Sequence, residues 1–521
     1  MTLDQEHAHL LRAPTGEEHD ILTRRSSAYN PLHTFDLAKN KGYKQQYGDI
    51  YYLRLAQLKP PVEAMATEAW DGFQIHGEVV RRVDRVLDVR QGEFCWVAGT
   101  VYMDMPLKPN ILDDISKDHW ISAPAPREKY VSPNDLDQIM LEDESGRLRL
   151  IGIPISTELL VTGCIIAVMG TENANGDFEV VDIKVPDLPE QPQRWARDDG
   201  SALTAKNQNK SRENSGKIAI VSGLSFSGDE ANSLNADLLM EYLLGEATAA
   251  TTQASIPEIS RLIIAGNSVA ENTLLPADRD VSSLSTLEES AAKKVTTKKY
   301  GYDSSSYNPA PTAHFDSFLS TLLPTIPVTL IPGASDPTNV SLPQQPIHTA
   351  IFPRSRAYSA APPGDKPSLG PGWFDSTTNP WEGDVQGFRL LGTGGQPVDD
   401  IYKYVESDDR IEMMERLLRW RCCAPTAPDT LWCYPFQTHD PFTLAPKSCP
   451  HVFFVGNQPK FDTALIEGPA GQKVRLIAVP KFKETGECVL LDLDELERGG
   501  GVEILRFDAH ESGGGEDGDA A

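Results

Sequence analysis

Long apolar runs, paired cysteine motifs and a surplus of basic residues are all missing from this chain, and each absence removes a class of explanation. No window offers the ~20 consecutive apolar residues of a membrane span. The N-terminus MTLDQEHAHLLRAPTGEEHD also lacks an apolar stretch of signal-peptide length. The reading is a soluble, intracellular protein with no membrane role. Seven cysteines form no C-x-x-C pair, and an odd count in a long chain argues against a disulfide framework, so reduced thiols are expected. Lys and Arg number 48 against 75 Asp and Glu, a net charge of −27. A field of that sign repels phosphate backbones, and autonomous DNA binding, which rests on clustered Lys and Arg, is not expected.

What is present is globular. Hydrophobic residues make up 40% and charged residues 24% of 521, enough for a sizeable core. At ~150 residues per domain the length allows about three folding units, or one large and one small. Residues 1–28 are polar and unpatterned and read as a mobile tail, followed by a helical segment over 29–64. In it Tyr47, Ile50, Tyr51, Leu55 and Leu58 follow helical spacing up to Pro60-Pro61, where ring constraint is expected to end the helix.

Residues 65–195 change to short β-type runs: Phe73 to Val80, Phe94 to Tyr102, Arg147 to Ile153, Leu159 to Met169 and Phe178 to Ile183. Asn175-Gly176 is a hairpin signal, because both positions tolerate positive φ. Five or so strands in this length predict a small OB-type β-barrel, with Pro106 to Pro133, including Trp120, as a long loop. Residues 196–216 read as a flexible linker.

Residues 217–494 predict a layered α/β domain. Apolar runs 218–221, 262–265, 328–331 and 452–455 each end in a Gly turn, as doubly buried strands do. Helices are expected around Leu234, Leu238 and Tyr242, closed by Gly245, and over Arg410 to Arg421. There Asp409 and Glu412 resemble a capping box, and Ile411, Met414, Leu418 and Cys422 share a face. Low-complexity stretches 271–312 and 353–382 read as surface loop insertions, and 495–521 as an acidic, Gly-rich tail without structure.

Ligands of open α/β sheets collect at the carboxyl ends of strands, so the four Gly turns are the places to look for chemistry. Their order resembles the calcineurin-like metallophosphoesterases, whose strand-end motifs run D-x-H, G-D, G-N-H-D/E and G-H-x-H. Carboxylates, imidazoles and a carboxamide there hold two metals that activate water against phosphorus. Here Gly223 stands for the first Asp and Ser225 for the His. Asn267 replaces the bridging carboxylate, Ala334 and Ser335 interrupt the third motif, and Asn457 and Pro459 occupy the two His positions of the last. Only Asp336 keeps its acid. The resemblance implies an α+β multidomain protein: an OB-type barrel plus a calcineurin-like phosphoesterase domain without its metal ligands.

A closer resemblance rests on the phrases 330–339 (LIPGASDPTN), 342–346 (LPQQP), 425–431 (PTAPDTL) and 453–459 (FFVGNQP), with MPLKP at 105–109 and LEDE at 141–144. Together they resemble the B, or small, subunits of eukaryotic DNA polymerase delta over residues 29–494. That resemblance implies a nuclear, non-catalytic scaffold with no catalytic, cofactor or metal site. It would hold the polymerase's catalytic subunit through that subunit's C-terminal cysteine-rich domain, and bind the third subunit as well. DNA and the sliding clamp would be met only through the complex, in replication and repair synthesis.

Competing readings attach to particular residues. Asp229, Asp336, His439, Asp440 and His451 are conceivable substitute ligands for an active phosphodiesterase or nuclease, but they lack ligand spacing and read as turn formers or satisfied surface groups. Cys422, Cys423, Cys433 and Cys449 crowd near His439 and His451 without zinc-knuckle spacing, and read as buried thiols. Phe73, Phe94, Trp96 and Tyr102 could stack bases in a basic groove. They are accompanied instead by Glu78, Glu93, Asp104 and 142–144, which favours packing or protein contacts. Lys293-Lys294 and Lys298-Lys299 are either an import signal or solvated. Trp373-Phe374 and Trp381 are loop anchors or partner contacts. The B subunits of polymerases alpha and epsilon are the remaining alternative, though the short lead before Phe73 leaves little room for their extra N-terminal domain.

Overall fold

The computed structural model describes residues 22–39, 42, 46–75, 77–109, 127–133, 136–194, 216–228, 233–246, 253–270, 308–360, 372–436, 438–496 and 498–507. The linker 196–215, most of the 271–312 insertion, Asp229, Trp120 and the four lysines at 293–299 lie outside those residues. No described helix is long and apolar enough to cross a membrane.

The chain enters through β1 (Tyr29–Pro31) and the 23-residue helix α1 (Gly48–Trp70). Pro60 and Pro61 lie inside α1 and do not end it. A proline removes the bond to the carbonyl four residues back. Those carbonyls belong to Ala56 and Gln57, on the exposed side of α1, so losing those bonds does not bury an unsatisfied carbonyl. Meanwhile Ile50, Arg54, Leu58, Val62, Ala66 and Trp70 recur every fourth residue on the buried side, and packing of that continuous stripe outweighs the local penalty. The segment before α1 is also fixed. Arg24 donates to the carbonyls of Leu243, Ile256 and Ile259, and β1 adds a strand to a sheet of the second domain. The described part of the expected mobile tail is thus pinned.

After a short hairpin of β2 (Gln74–Ile75) and β3 (Glu78–Val79) comes the barrel: β4 (Arg81–Arg82), β5 (Phe94–Asp104), β6 (Gln138–Glu142), β7 (Arg147–Ile151), helix α2 (Ile153–Thr157), β8 (Ile165–Glu172) and β9 (Asp177–Lys184). The order β5-β6-β7-β9-β8 closes through β5–β8 pairing, as the OB-type expectation requires. Gly176, at φ +84°, turns β8 into β9. Phe73 to Val80 forms only the small hairpin, and β6 escaped the pattern because its Gln138–Glu142 sequence is short and half-buried. Helix α1 lies across β5 and β8, so Trp96 on β5 is 3% exposed and meets Trp70 at 5.9 Å between ring centroids.

The second domain contains β10 (Lys217–Val221), α3 (Leu234–Leu244), β11 (Ile259–Ala265), α4 (Ala310–Leu322), β12 (Val328–Ile331), β13 (Phe374–Ser376), β14 (Trp381–Val385), β15 (Phe388–Thr393), α5 (Gln396–Tyr404), α6 (Arg410–Arg419), β16 (Val452–Gln458), β17 (Asp462–Glu467), β18 (Lys473–Pro480), α7 (Phe482–Thr485), β19 (Glu487–Asp492), α8 (Leu493–Leu496) and β20 (Val502–Arg506). Two six-stranded sheets result, ordered β1-β14-β15-β16-β18-β17 and β13-β12-β11-β10-β19-β20. Ile218, Ile220 and Ile263 from one interlock with Leu390, Phe454 and Ile477 from the other. Helices α3 and α4 cover the outer face of the second sheet, and α5 and α6 that of the first. The layering is helix, sheet, sheet, helix.

Two further expectations are corrected. The 353–382 insertion holds β13, an edge strand, and Trp381 opens β14 at 2% exposure. The 495–521 tail contributes β20, paired antiparallel to β19, because Val502, Ile504 and Leu505 complete that sheet. Helix α3 spans Leu234, Leu238 and Tyr242 and is closed by Gly245 in the left-handed region, as expected, with Ala236, Leu239 and Leu243 as its buried residues. The Asp409 cap of α6 is as expected: its carboxylate accepts from the Glu412 N–H at 3.0 Å.

Candidate functional site

The carboxyl ends of β10, β11, β12, β15 and β16 converge, and bring the candidate positions Gly223, Asn267, Ser335 and Asn457 together. Asn457 sits at the centre with φ +57°. Its backbone N–H donates to Ser222 Oγ at 2.9 Å, and its Nδ2 to the Gly394 carbonyl at 2.7 Å. A Cβ on Gly223 would lie 2.9 Å from Asn457 Oδ1, and one on Gly266 2.9 Å from its Nδ2. Both glycines also have positive φ, +63° and +86°, so neither space nor backbone admits a larger residue there. Asn267 Oδ1 accepts from the Ser335 N–H at 3.2 Å, and Ser335 Oγ donates to the Val269 carbonyl. Ser225 is half-buried, whereas Ala334 and Pro459 are exposed and point no donor atom at the centre.

Asp336 holds its own loop. Asp336 is 5% exposed, and its carboxylate accepts from the Gly333 N–H at 2.7 Å and the Val269 N–H at 2.9 Å. Burial pushes its carboxyl up to about 6, while those backbone donors pull the other way.

Beside Asn457 lies a second set of carboxamides that sequence reasoning missed. Asn379 Nδ2 donates to Gln344 Oε1 at 2.8 Å and Gln396 Oε1 at 2.9 Å, and Gln396 Nε2 donates to Gln344 Oε1 at 2.9 Å. Thr393 Oγ1 and the Gly394 N–H both donate to Asn379 Oδ1 at 3.0 Å, and Gln344 Nε2 reaches the Gly333 carbonyl at 3.1 Å. Gln344 lies inside the phrase LPQQP and Gln396 directly follows Gly394-Gly395, but nothing in their spacing announces that they meet. The strand ends are thus joined by neutral amides.

A pair of divalent metals needs several anionic or imidazole donors around each ion, and this donor set does not fit one. The centre offers amides, hydroxyls and glycines, and the described residues contain no group of three or more His, Cys, Asp or Glu placed to hold a metal. The other candidate ligands are elsewhere. Asp440 is fully paired with Arg54, His439 is exposed beside Thr438, and His451 accepts the Arg389 N–H on Nδ1 at 3.0 Å between β15 and β16. Burial, with Arg389 and Arg194 nearby, lowers the His451 imidazole to about 4. All seven cysteines are buried and free, and burial raises their thiols.

The barrel and the layered domain share one contiguous core, and the joint between them is polar at its centre. Arg54 of α1, fully buried, gives Nε to Asp440 Oδ2 at 2.8 Å, and its remaining donors to the carbonyls of Ala424, Pro425, Ala427 and Gly163. Lys108 pairs with Asp429 at 2.7 Å, and Tyr404 Oη donates to the same carboxylate at 3.0 Å. The phrase PTAPDTL at 425–431 therefore builds the inter-domain joint.

The barrel and the layered domain each match a family model of polymerase B subunits, and that is the class of protein they define. The family model of the DNA polymerase alpha/epsilon B subunits matches residues 218–463, and that of the DNA polymerase delta subunit OB-fold domain matches 46–183. Delta small subunits match along nearly the whole chain. The chain is 35% identical to the DNA polymerase delta small subunit of Arabidopsis thaliana, over 92% of this chain and 96% of that one. It is 34% identical to that of Saccharomyces cerevisiae, over 90% and 92% respectively. The chain belongs to the family of DNA polymerase delta small subunits.

Proposed function

We propose that this chain, by family an accessory component of DNA polymerase delta, contributes no chemistry of its own. It acts as a rigid scaffold in the nucleus, joining the C-terminal cysteine-rich domain of the catalytic subunit to the third subunit during replication and repair synthesis. DNA and the sliding clamp are reached through the assembled complex. The layered domain is a calcineurin-like phosphoesterase scaffold whose metal positions have been given over to amides and glycines.

The observation that carries this reading is the filling of the strand-end centre by Asn457, flanked by Gly223 and Gly266 with no room for a longer side chain. The shared core of barrel and layered domain supports the second half, since a scaffold must hold its partners at fixed separation. The acidic balance of the chain fits a component that leaves DNA contact to others. Co-expression with the catalytic subunit's C-terminal domain tests it. A one-to-one complex burying more than ~1,000 Å² is expected, and failure to co-elute at about micromolar concentration contradicts it.

A further inference from the structure

At the amino ends of β15, β16 and β18, the opposite end of these strands from the amide-filled centre, lies a pocket of about 400 Å³. Arg194, Lys473 and Arg475 line it together with Phe388, Leu496 and His451, and no carboxylate is among its lining residues. In a chain of net charge −27, a lining with three cations and no carboxylate is unusual; Lys473 finds Glu467 outside it, and Arg194 donates Nε to the Gln386 carbonyl at 3.1 Å.

Arg475 is the informative member. It projects from β18 on the side that faces the other sheet and is 8% exposed. One Nη donates to the Gly499 carbonyl, and its Nε is enclosed with no acceptor. No carboxylate pairs with it among the described residues, and burial alone lowers its guanidinium. A buried cation without a counter-charge is costly, so the pocket wall is short of negative charge. Lys473 stands on the rim, 62% exposed, in an exposed pair with Glu467 at 3.2 Å. The Arg194 guanidinium lies 4.1 Å above the Phe388 ring. His451, with Nδ1 already accepting from Arg389, is a neutral wall of the pocket.

We infer that this pocket binds the phosphoryl group of a small phosphorylated molecule, with Arg475 and Lys473 supplying the charge and Phe388 and Leu496 packing its organic part. A phosphoryl group carries nearly two charges and several acceptor oxygens, matching convergent guanidinium and ammonium groups. The volume exceeds what the anion alone would fill and is within the range of small-ligand sites. A nucleic-acid strand is disfavoured, because the overall field opposes a polyanion far more than a small anion.

The test is calorimetric titration of the purified full-length chain with pyrophosphate at low ionic strength, using sodium chloride at matched ionic strength as the control. Saturable binding is expected. Lys473→Met should weaken it about fivefold and Arg475→Met at least tenfold, as loss of one charged contact does, while Lys460→Met, an exposed lysine outside the pocket, leaves it unchanged. Lys473 bears little on folding, so its variant keeps the test valid if Arg475→Met fails to fold. No saturable heat below about 10 mM, equal affinity in wild type and Lys473→Met, or equal weakening by Lys460→Met overturns the assignment.

Discussion

Removing Arg54 should loosen the joint between barrel and layered domain more than any exposed change. In Arg54→Met the Asp440 carboxylate stays buried without its cation, and the carbonyls of Ala424, Pro425 and Ala427 lose their donors. Breaking a buried pair from one side costs about 3–5 kcal/mol. The response in melting temperature then reports the size of the cooperative unit. At ~2 cal/mol/K of unfolding entropy per residue, a loss of about 4 kcal/mol shifts a unit of roughly 450 residues by about 4 °C. A barrel of roughly 140 residues melting by itself would shift by about 14 °C. Because the two domains share one core, the smaller shift with a single transition is expected, together with a clear loss in urea midpoint. The double variant Arg54→Met/Asp440→Asn should be less destabilised than the sum of its singles by about 2 kcal/mol, since no uncompensated charge remains. A loss below about 1 kcal/mol for Arg54→Met, or strict additivity, refutes the reasoning.

Other outcomes follow from the same geometry. Asn457→Ala should cost about 2–3 kcal/mol in chemical denaturation, since it orphans the Gly394 carbonyl and places alanine at positive φ. Gly163→Ala should be poorly tolerated on expression. Its Cβ would fall 2.0 Å from the Pro425 carbonyl oxygen at a φ of +90°, forcing the joint apart. His451 has a folded value of about 4 against 6.5 in the open chain, so the unfolded state takes up the proton first as pH falls. Its contribution is present above about 6.5 and is lost on acidification towards 4, by up to about 3 kcal/mol. Urea midpoints between pH 7 and 4.5 should fall more steeply in the wild type than in His451→Gln.

Much of the architecture was legible because strongly periodic segments carry their own evidence. The buried strands at 218–221, 262–265, 328–331 and 452–455 and the Asp409 cap are local statements. The elements that sequence missed depend on distant partners. β1, β13 and β20 are short edge strands whose burial comes from the sheet they join, and α1 runs through Pro60-Pro61 because the barrel below it supplies packing that no window reveals. At the strand ends, Gly223, Asn267 and Asn457 could be placed by motif, and Asp336 could be identified as the retained acid. That Asp336 clasps its own loop, and that Gln344, Asn379 and Gln396 assemble beside Asn457, follows from contacts over tens of residues. The Arg54–Asp440 pair spans 386 positions, and no spacing rule could have joined it. The described part of the N-terminal tail is ordered for the same reason: Arg24 finds its carbonyl partners more than 200 positions away.

The proposed scaffold role rests on a strand-end centre that is closed to metals. Its most direct test is manganese titration of the purified full-length chain, followed by calorimetry and metal analysis after desalting, with hydrolysis of a phosphodiester and a labelled oligonucleotide measured on the same sample. No stoichiometric uptake and no manganese-stimulated turnover are expected. Two manganese ions bound per chain, with turnover lost in Asp336→Ala, would contradict the account.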